Sequence, residues 1–300
     1  MLLDCAIIGG GPAGLNAALV VARSGRKVIL FDEDKPRNAV TQESHGFITR
    51  DGITPAEFKK VAQLDLMKYP NIAVHKQRVI DIQKVDEMFH IWSMDGSSYQ
   101  AKKVILSTGL TDIMPQITGI HDFYGTSLFS CPFCDGWELK NRAVVVISEE
   151  PRAFHMAKMM YNWSQDLVVC TNGKSILSPE QKELFTRKNI TVIEDEILHL
   201  EGDRGHLTKI RFKNGQEIAR DGGLVTTSLQ QAAPFAQTLG CTLNKMGSIE
   251  TDILGRTNIA GVYASGDNSN SLSQVIIAAA EGSKAAIGVI SDMINEEFEN

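Results

Sequence analysis

The hexapeptide Cys131-Pro132-Phe133-Cys134-Asp135-Gly136 carries the densest chemistry in this 300-residue chain. Two cysteines separated by two residues can close a small-loop disulfide and exchange electrons with an external thiol. A helix starting at the pair would lower a thiol pKa and raise the reactive thiolate fraction. Each exchange step leaves a thiolate that needs a proton, which gives an acid at Asp135 a task. The plainer alternative for Asp135 is a helix N-terminal cap or first-turn charge. Zinc would need a second ligand pair at suitable spacing. Cys170 and Cys241 are isolated and the histidines scattered, so no metal site is expected. Two idle buried cysteines are the remaining alternative, against which the flanking Asp135-Gly136 argues.

The rest of the composition limits where this pair can work. There are five cysteines in all, an odd number and too few for a disulfide scaffold. Hydrophobic residues make up 43% and charged residues 22%, an ordinary globular balance. The net charge of -6 provides no basic footprint, so nucleic acid is not an expected partner. The start, Met1-Leu2-Leu3-Asp4-Cys5, lacks the basic region of a signal peptide. No apolar run approaches the roughly 18–20 residues that span a bilayer. The expectation is a soluble cytoplasmic protein without membrane partners, of about two domains.

A first βαβ unit opens the chain. Residues 5–9 read as a buried strand, residues 15–23 as a helix, and residues 27–31 as a second strand closed by Asp32. Between strand and helix stands Gly9-Gly10-Gly11-Pro12-Ala13-Gly14, a G-x-G-x-x-G in its required setting. Gly9 permits the tight turn, Gly11 lets backbone approach a pyrophosphate, and Gly14 lets the helix pack on the strand. The helix N-terminus offers free N–H groups and partial positive charge to phosphates. Asp32, 18 residues after Gly14, is placed to accept from a ribose. Near the other end, the strand 261–264 leads into Ser265-Gly266-Asp267, ahead of an apolar helix over about 272–290. Asp267 there can accept from a ribityl chain or cap the helix. Thr54-Pro55-Ala56-Glu57 starts a helix over about 55–68, and Asp95-Gly96 joins two antiparallel strands. The acidic end, residues 296–300, is expected to fray.

Both ends resemble the FAD domain of two-dinucleotide flavoprotein disulfide reductases. The resemblance rests on Gly9-x-Gly11-Pro12-Ala13-Gly14, on Ser107-Thr108-Gly109 after the strand 103–106, and on residues 261–267. Ser273-Gln274 before the alanine-rich helix is similar to that family's Gln-bearing flavin contact. Cys131–Gly136 resembles the C-x-x-C-D-G of low-molecular-weight thioredoxin reductases, in the same place before an inserted second domain. The resemblance implies that Cys134 faces the flavin, that Cys131 exchanges with substrate, and that Asp135 is the acid/base.

The expected second βαβ unit departs from that family. A strand over 142–147, a helix over 151–163 and a strand over 166–170 give its outline, with Pro12 falling on Pro151. Gly9, however, falls on Ser148, Gly11 on Glu150, Gly14 on Ala153, and Asp32 on Thr171. A Glu in the second position fills the pyrophosphate's space. It also brings a charge that, at about 4 Å and an effective dielectric near 20, repels another by about 4 kcal/mol. Glu149 adds to this. The arginine-rich grip on a 2′-phosphate is replaced by Thr171-Asn172-Gly173-Lys174, where one lysine is a poor substitute. Ordinary NADPH binding is therefore expected to be weak. A second departure is Arg37-Asn38, followed by Glu43-Ser44-His45-Gly46. Arg37-Asn38 is similar to a side branch that includes flavin dithiol oxidases. Another branch with degraded nucleotide motifs takes electrons from ferredoxin. By this resemblance Arg37 and Asn38 lie near FAD phosphates and His45 near the flavin; the alternative is surface-loop polarity.

The sequence thus predicts an α/β protein of two Rossmann-like three-layer domains. An FAD domain over 1–114 and 243–300 is interrupted by a dithiol-bearing domain over 115–242. The expected activity is FAD-dependent disulfide/dithiol exchange with a thioredoxin-like protein or a small dithiol, in a homodimer. Three donors or acceptors stay open: a reduced protein such as ferredoxin, oxygen, and NADPH at a divergent site. A non-catalytic flavoprotein redox sensor is the competing reading from another class.

Overall fold

A computed structural model of the chain describes residues 2–270 and 272–299. It resolves into two compact units: residues Met1–Ala39, Gly46–Thr111 and Gln230–Asn300 form the first, and Val40–His45 with Asp112–Leu229 the second. The second unit thus ends at Leu229, ahead of the 242/243 junction read from sequence. The intervening Phe235, Ala236 and Cys241 pack with Ile249, Val262 and the first sheet, which accounts for their membership.

The first unit is built on a seven-stranded sheet. Its axis is the strand Leu2–Ile8, parallel to Val28–Phe31 on one side and to Ser98–Leu106 on the other. Ser98–Leu106 is long enough to serve two partners. Residues 98–101 pair antiparallel with Met88–Ser93, while residues 104–106 pair parallel with Val262–Ala264. Alternation along the first strand sends Cys5 and Ile7 into one core and Ala6 and Ile8 into the other. The first of these cores is covered by the helices Pro12–Arg23 and Val275–Glu299. The two helices approach so closely that a Cβ on Gly282 would sit 2.0 Å from the Ala13 carbonyl oxygen. Asn16 Nδ2 donates to the Ala279 carbonyl and to Ser283 Oγ, both at 2.7 Å, fixing their register.

The last helix corrects two expectations. It begins at Val275, so Asp267 does not cap it, and it continues to Glu299 where fraying was expected. Glu296 pairs with Lys103, and Glu297 Oε2 accepts from Arg26 Nη2 at 2.7 Å, so the acidic end is anchored to the sheet.

The second unit has a five-stranded parallel sheet in the order Thr191–Ile193, Leu167–Cys170, Val144–Ile147, Gly222–Val225, Leu128–Phe129. A three-stranded antiparallel sheet, Ile197–Asp203, His206–Phe212 and Glu217–Ala219, covers one face. The crossover helix is shorter than the predicted 151–163, running Ala153–Met160 without a side-chain N-cap. Among the described residues no helix is long and apolar enough to cross a membrane.

Candidate active site

Parallel register brings the glycine motif, Asp32, Thr108-Gly109 and Gly266-Asp267 to one end of the first sheet. Ile8 pairs with Phe31 and with Leu106, and Leu106 with Ala264, so the loops after these strands leave from the same edge. That carboxyl-end edge is where open α/β sheets bind ligands. The glycines are required there for different reasons. A Cβ on Gly9 would meet the Ser107 carbonyl oxygen at 2.2 Å, and one on Gly14 would meet the Gly9 carbonyl oxygen at 1.8 Å. At Gly11 a Cβ would meet nothing within 4 Å, so its backbone faces open space at the start of Pro12–Arg23. No side chain caps this helix, leaving its N-terminus available to an anion.

The polar residues around this opening are linked to each other. Arg37 Nη1 lies 3.2 Å from Asp267 Oδ2. Asp32 accepts from the Asp34 backbone N–H at 2.9 Å and is ion-paired with Lys59. A carboxylate has about four acceptor positions, so a ribose hydroxyl can still be accommodated. Asn268 is fully buried; its Nδ2 donates to the Leu106 carbonyl at 2.9 Å, while Oδ1 has no partner. An orphaned buried acceptor, an open glycine backbone and an uncapped helix end fit a dinucleotide. Gln274 supplies its carbonyl to the Ala278 N–H at the start of the last helix, with Ser273 beside it. Asn38 stands with Arg37 in the 3-10 turn Arg37–Val40. Lys59 and Asn268 were not singled out from sequence. Asn268 directly follows the Gly-Asp pair, a signal that was available; nothing local marks Lys59.

The dithiol lies in the second unit. Cys131 and Cys134 form a disulfide with Cα atoms 5.3 Å apart. Cys131 is the N-cap of the single turn Pro132–Asp135, and Asp135 closes that turn. One turn provides little macrodipole, so the helix-dipole argument for thiol activation is weak here. Gly136 is irreplaceable at the end of the turn: a Cβ would meet the Pro132 carbonyl oxygen at 2.4 Å and the Trp163 ring at 2.7 Å. The same indole holds Phe133 edge-on, with ring centroids 5.9 Å apart. Burial, then the neighbouring Glu138 carboxylate, push Asp135 up to about 7, with His45 opposing. A carboxyl poised near neutrality can both hold and release a proton at working pH. His45 belongs to the second unit; its Nε2 lies 3.5 Å from Glu138 Oε1. Glu138 was missed from sequence, although its position three residues after Asp135 on a turn was a usable signal.

The model of the pyridine nucleotide-disulphide oxidoreductase family matches residues 3–282. The chain belongs to that family. It is similar to a Bacillus anthracis protein assigned as the thioredoxin reductase TrxB, with 44% identity, coverage of 98% and 99% of the two chains, and a TM-score of 0.95. It is similar to an oxidoreductase from Agrobacterium tumefaciens at 30% identity, coverage of 98% and 99%, and a TM-score of 0.91. A thioredoxin reductase from Rickettsia typhi is 30% identical over 303 residues, covering 94% of this chain and 96% of the relative. The chain is therefore a thioredoxin-reductase-like flavoprotein disulfide oxidoreductase with two Rossmann-like domains.

The second βαβ loop is filled from within. Glu150 takes the second glycine position; its Oε2 lies 2.8 Å from Arg152 Nε, and its Oε1 accepts from Ser228 Oγ at 2.7 Å. Its backbone N–H donates to Ser148 Oγ at 3.2 Å. Glu149 Oε1 accepts from Asn172 Nδ2 at 2.5 Å, and Asn172 Oδ1 in turn accepts from the Ile197 N–H at 2.9 Å. Thr171, in place of an acidic ribose ligand, donates to the Lys174 carbonyl at 2.6 Å. These groups satisfy one another at the loop positions that align with the glycines and Asp32 of the first unit.

Proposed function

We propose that the protein exchanges electrons between bound FAD, the Cys131/Cys134 pair and an external thiol or disulfide, without using NADPH in the standard way. The observation that carries this reading is the disulfide closed on a one-turn helix with a buried, near-neutral carboxyl at Asp135. FAD, when bound, supplies a two-electron donor or acceptor. Gly9, Gly11, Pro12, Ala13 and Gly14 would hold its pyrophosphate on the helix N-terminus, and Asp32 a ribose. Arg37, Asn38, Thr108, Gly109, Gly266, Asp267, Ser273 and Gln274 would line the remainder.

The chain's own residues then account for the exchange. The Cys131 thiolate attacks one sulfur of a substrate disulfide; the new S–S bond forms as the substrate bond breaks. The departing thiolate takes the Asp135 proton. The ionised Asp135 next takes the Cys134 proton; the Cys134 thiolate attacks Cys131 Sγ and closes the Cys131–Cys134 disulfide, and the second substrate thiolate leaves with that proton. Resetting that disulfide takes two electrons and two protons. Run backwards, the same steps oxidise a substrate dithiol. The filled loop of the second unit supports a donor or acceptor other than NADPH, either a reduced redox protein such as a ferredoxin or, for dithiol oxidation, oxygen. The substrate is a thioredoxin-like protein or a small dithiol, and the working form is a homodimer in the cytoplasm.

Anaerobic reductive titration tests the reading. The flavin-loaded protein is expected to take up about four reducing equivalents per chain and Cys134→Ser about two. Equal uptake by both would show that the dithiol is not in electronic contact with the flavin.

A further inference from the structure

His45 comes from Val40–His45, a six-residue segment flanked on both sides by the first unit yet belonging to the second. It stands between two carboxylates: Nε2 is 3.5 Å from Glu138 Oε1 and 3.7 Å from Glu43 Oε2. Glu138 Oε2 is buried and has no hydrogen-bond partner. Asp135, three residues before Glu138, is buried at the end of the dithiol turn. Two titratable groups act on Asp135: the Glu138 carboxylate, from the loop that continues its own turn, and, when it carries a proton, the His45 imidazole beside that carboxylate. The helix Ala153–Met160, packed on the dithiol turn, carries two titratable residues, His155 and Lys158, and beyond it the turn meets the Trp163 ring. An ionised Asp135 is repelled by Glu138 and attracted by a protonated His45.

We infer that His45 and Glu138 form an opposed charge pair that controls the proton on Asp135, which makes His45 a positioning residue of the dithiol chemistry. This rests on Asp135 being the proton donor proposed above. In the exchange step the Cys131 thiolate, a substrate disulfide and the protonated Asp135 become a mixed disulfide, a free substrate thiol and an ionised Asp135. Protonated His45 stabilises that last carboxylate and so eases release of the proton. Glu138 opposes it and so returns Asp135 to its protonated state for the next step. With either partner missing, the carboxyl is left too weak or too strong an acid for one half of the cycle.

The test is an infrared pH titration of the Asp135 carboxyl in the oxidised, flavin-loaded protein, assigned by subtraction of Asp135→Asn. Glu138→Gln is expected to lower the midpoint, and His45→Gln to raise it, each by about half a pH unit or more. The double variant is expected to return close to the parent. His45→Asn replaces His45→Gln if the latter fails to load flavin. No movement, movement in one variant only, or movement of both in the same direction overturns the inference. The pH dependence of disulfide exchange separates the two layers. If the carboxyl midpoints move oppositely but the rate profile does not follow, the charge pair stands and Asp135 is not the donor.

Discussion

Arg152 Nε lies 2.8 Å from Glu150 Oε2, so the residue in the second glycine position of the second βαβ loop is held by the N-cap residue of the helix that follows. With Ser228 on the same carboxylate, both Glu150 oxygens are engaged at the position that aligns with the second glycine of the first unit.

Removing that occupant should reopen the site. The double change Glu149→Gly, Glu150→Gly releases Arg152 and Asn172 from these carboxylates and takes away two negative charges. NADPH affinity, measured by calorimetry, is expected to rise at least about tenfold, or roughly 1.4 kcal/mol. Unchanged affinity would mean that the carboxylates do not set the weakness.

Arg37 and Asp267 meet across 230 residues of sequence at the carboxyl end of the first sheet's parallel strands. Arg37→Met leaves Asp267 without this partner in a half-buried position, and Asp267→Asn does the converse. Each is expected to weaken FAD retention about three- to thirtyfold, with less than additive loss in the double variant. Flavin release followed by fluorescence checks this; additive losses would show that the two act separately.

The Asp135 carboxyl also makes stability depend on pH. Its folded pKa of about 7 lies above its ordinary 3.8, so between these values the unfolded chain gives up the proton and the folded protein keeps it. Below the window the group is neutral in both states and has no effect. Through it, stability falls as pH rises, levelling off above about 7, by up to a few kcal/mol at 1.36 kcal/mol per unit. Asp135→Asn should abolish that decline. Its melting temperature relative to the parent is expected to climb from pH about 4 to about 7 and then stay flat; parallel curves would contradict the burial argument.

Roles within the dithiol are separable. Cys131→Ser leaves Cys134 as a thiolate and is expected to strengthen a flavin–thiolate charge-transfer band, whereas Cys134→Ser should remove it. The opposite pattern would exchange the two roles.

Much of this arrangement was legible where the chemistry is local. The strand, glycine turn, helix and acid of residues 5–32 lie within one βαβ unit, and each residue's task follows from its spacing. The mismatch at Ser148, Glu150 and Thr171 was visible for the same reason. What could not be read was pairing across long separations. Lys59 reaches Asp32 from a helix whose sequence marks only its own start, and Glu296 and Glu297 anchor the last helix on Lys103 and Arg26. The assignment of Val40–His45 to the second unit is likewise a tertiary fact. It depends on close approaches such as the one between Gly125, whose Cβ would meet the Val40 carbonyl oxygen at 2.2 Å, and that segment.

In the proposed cycle electrons reach or leave the flavin and dithiol by a route other than ordinary NADPH reduction. Anaerobic stopped-flow mixing of the flavin-loaded protein with micromolar NADPH is the decisive check. The flavin absorbance near about 450 nm is expected to persist over many seconds. Bleaching at rates on the order of 10 per second would contradict it.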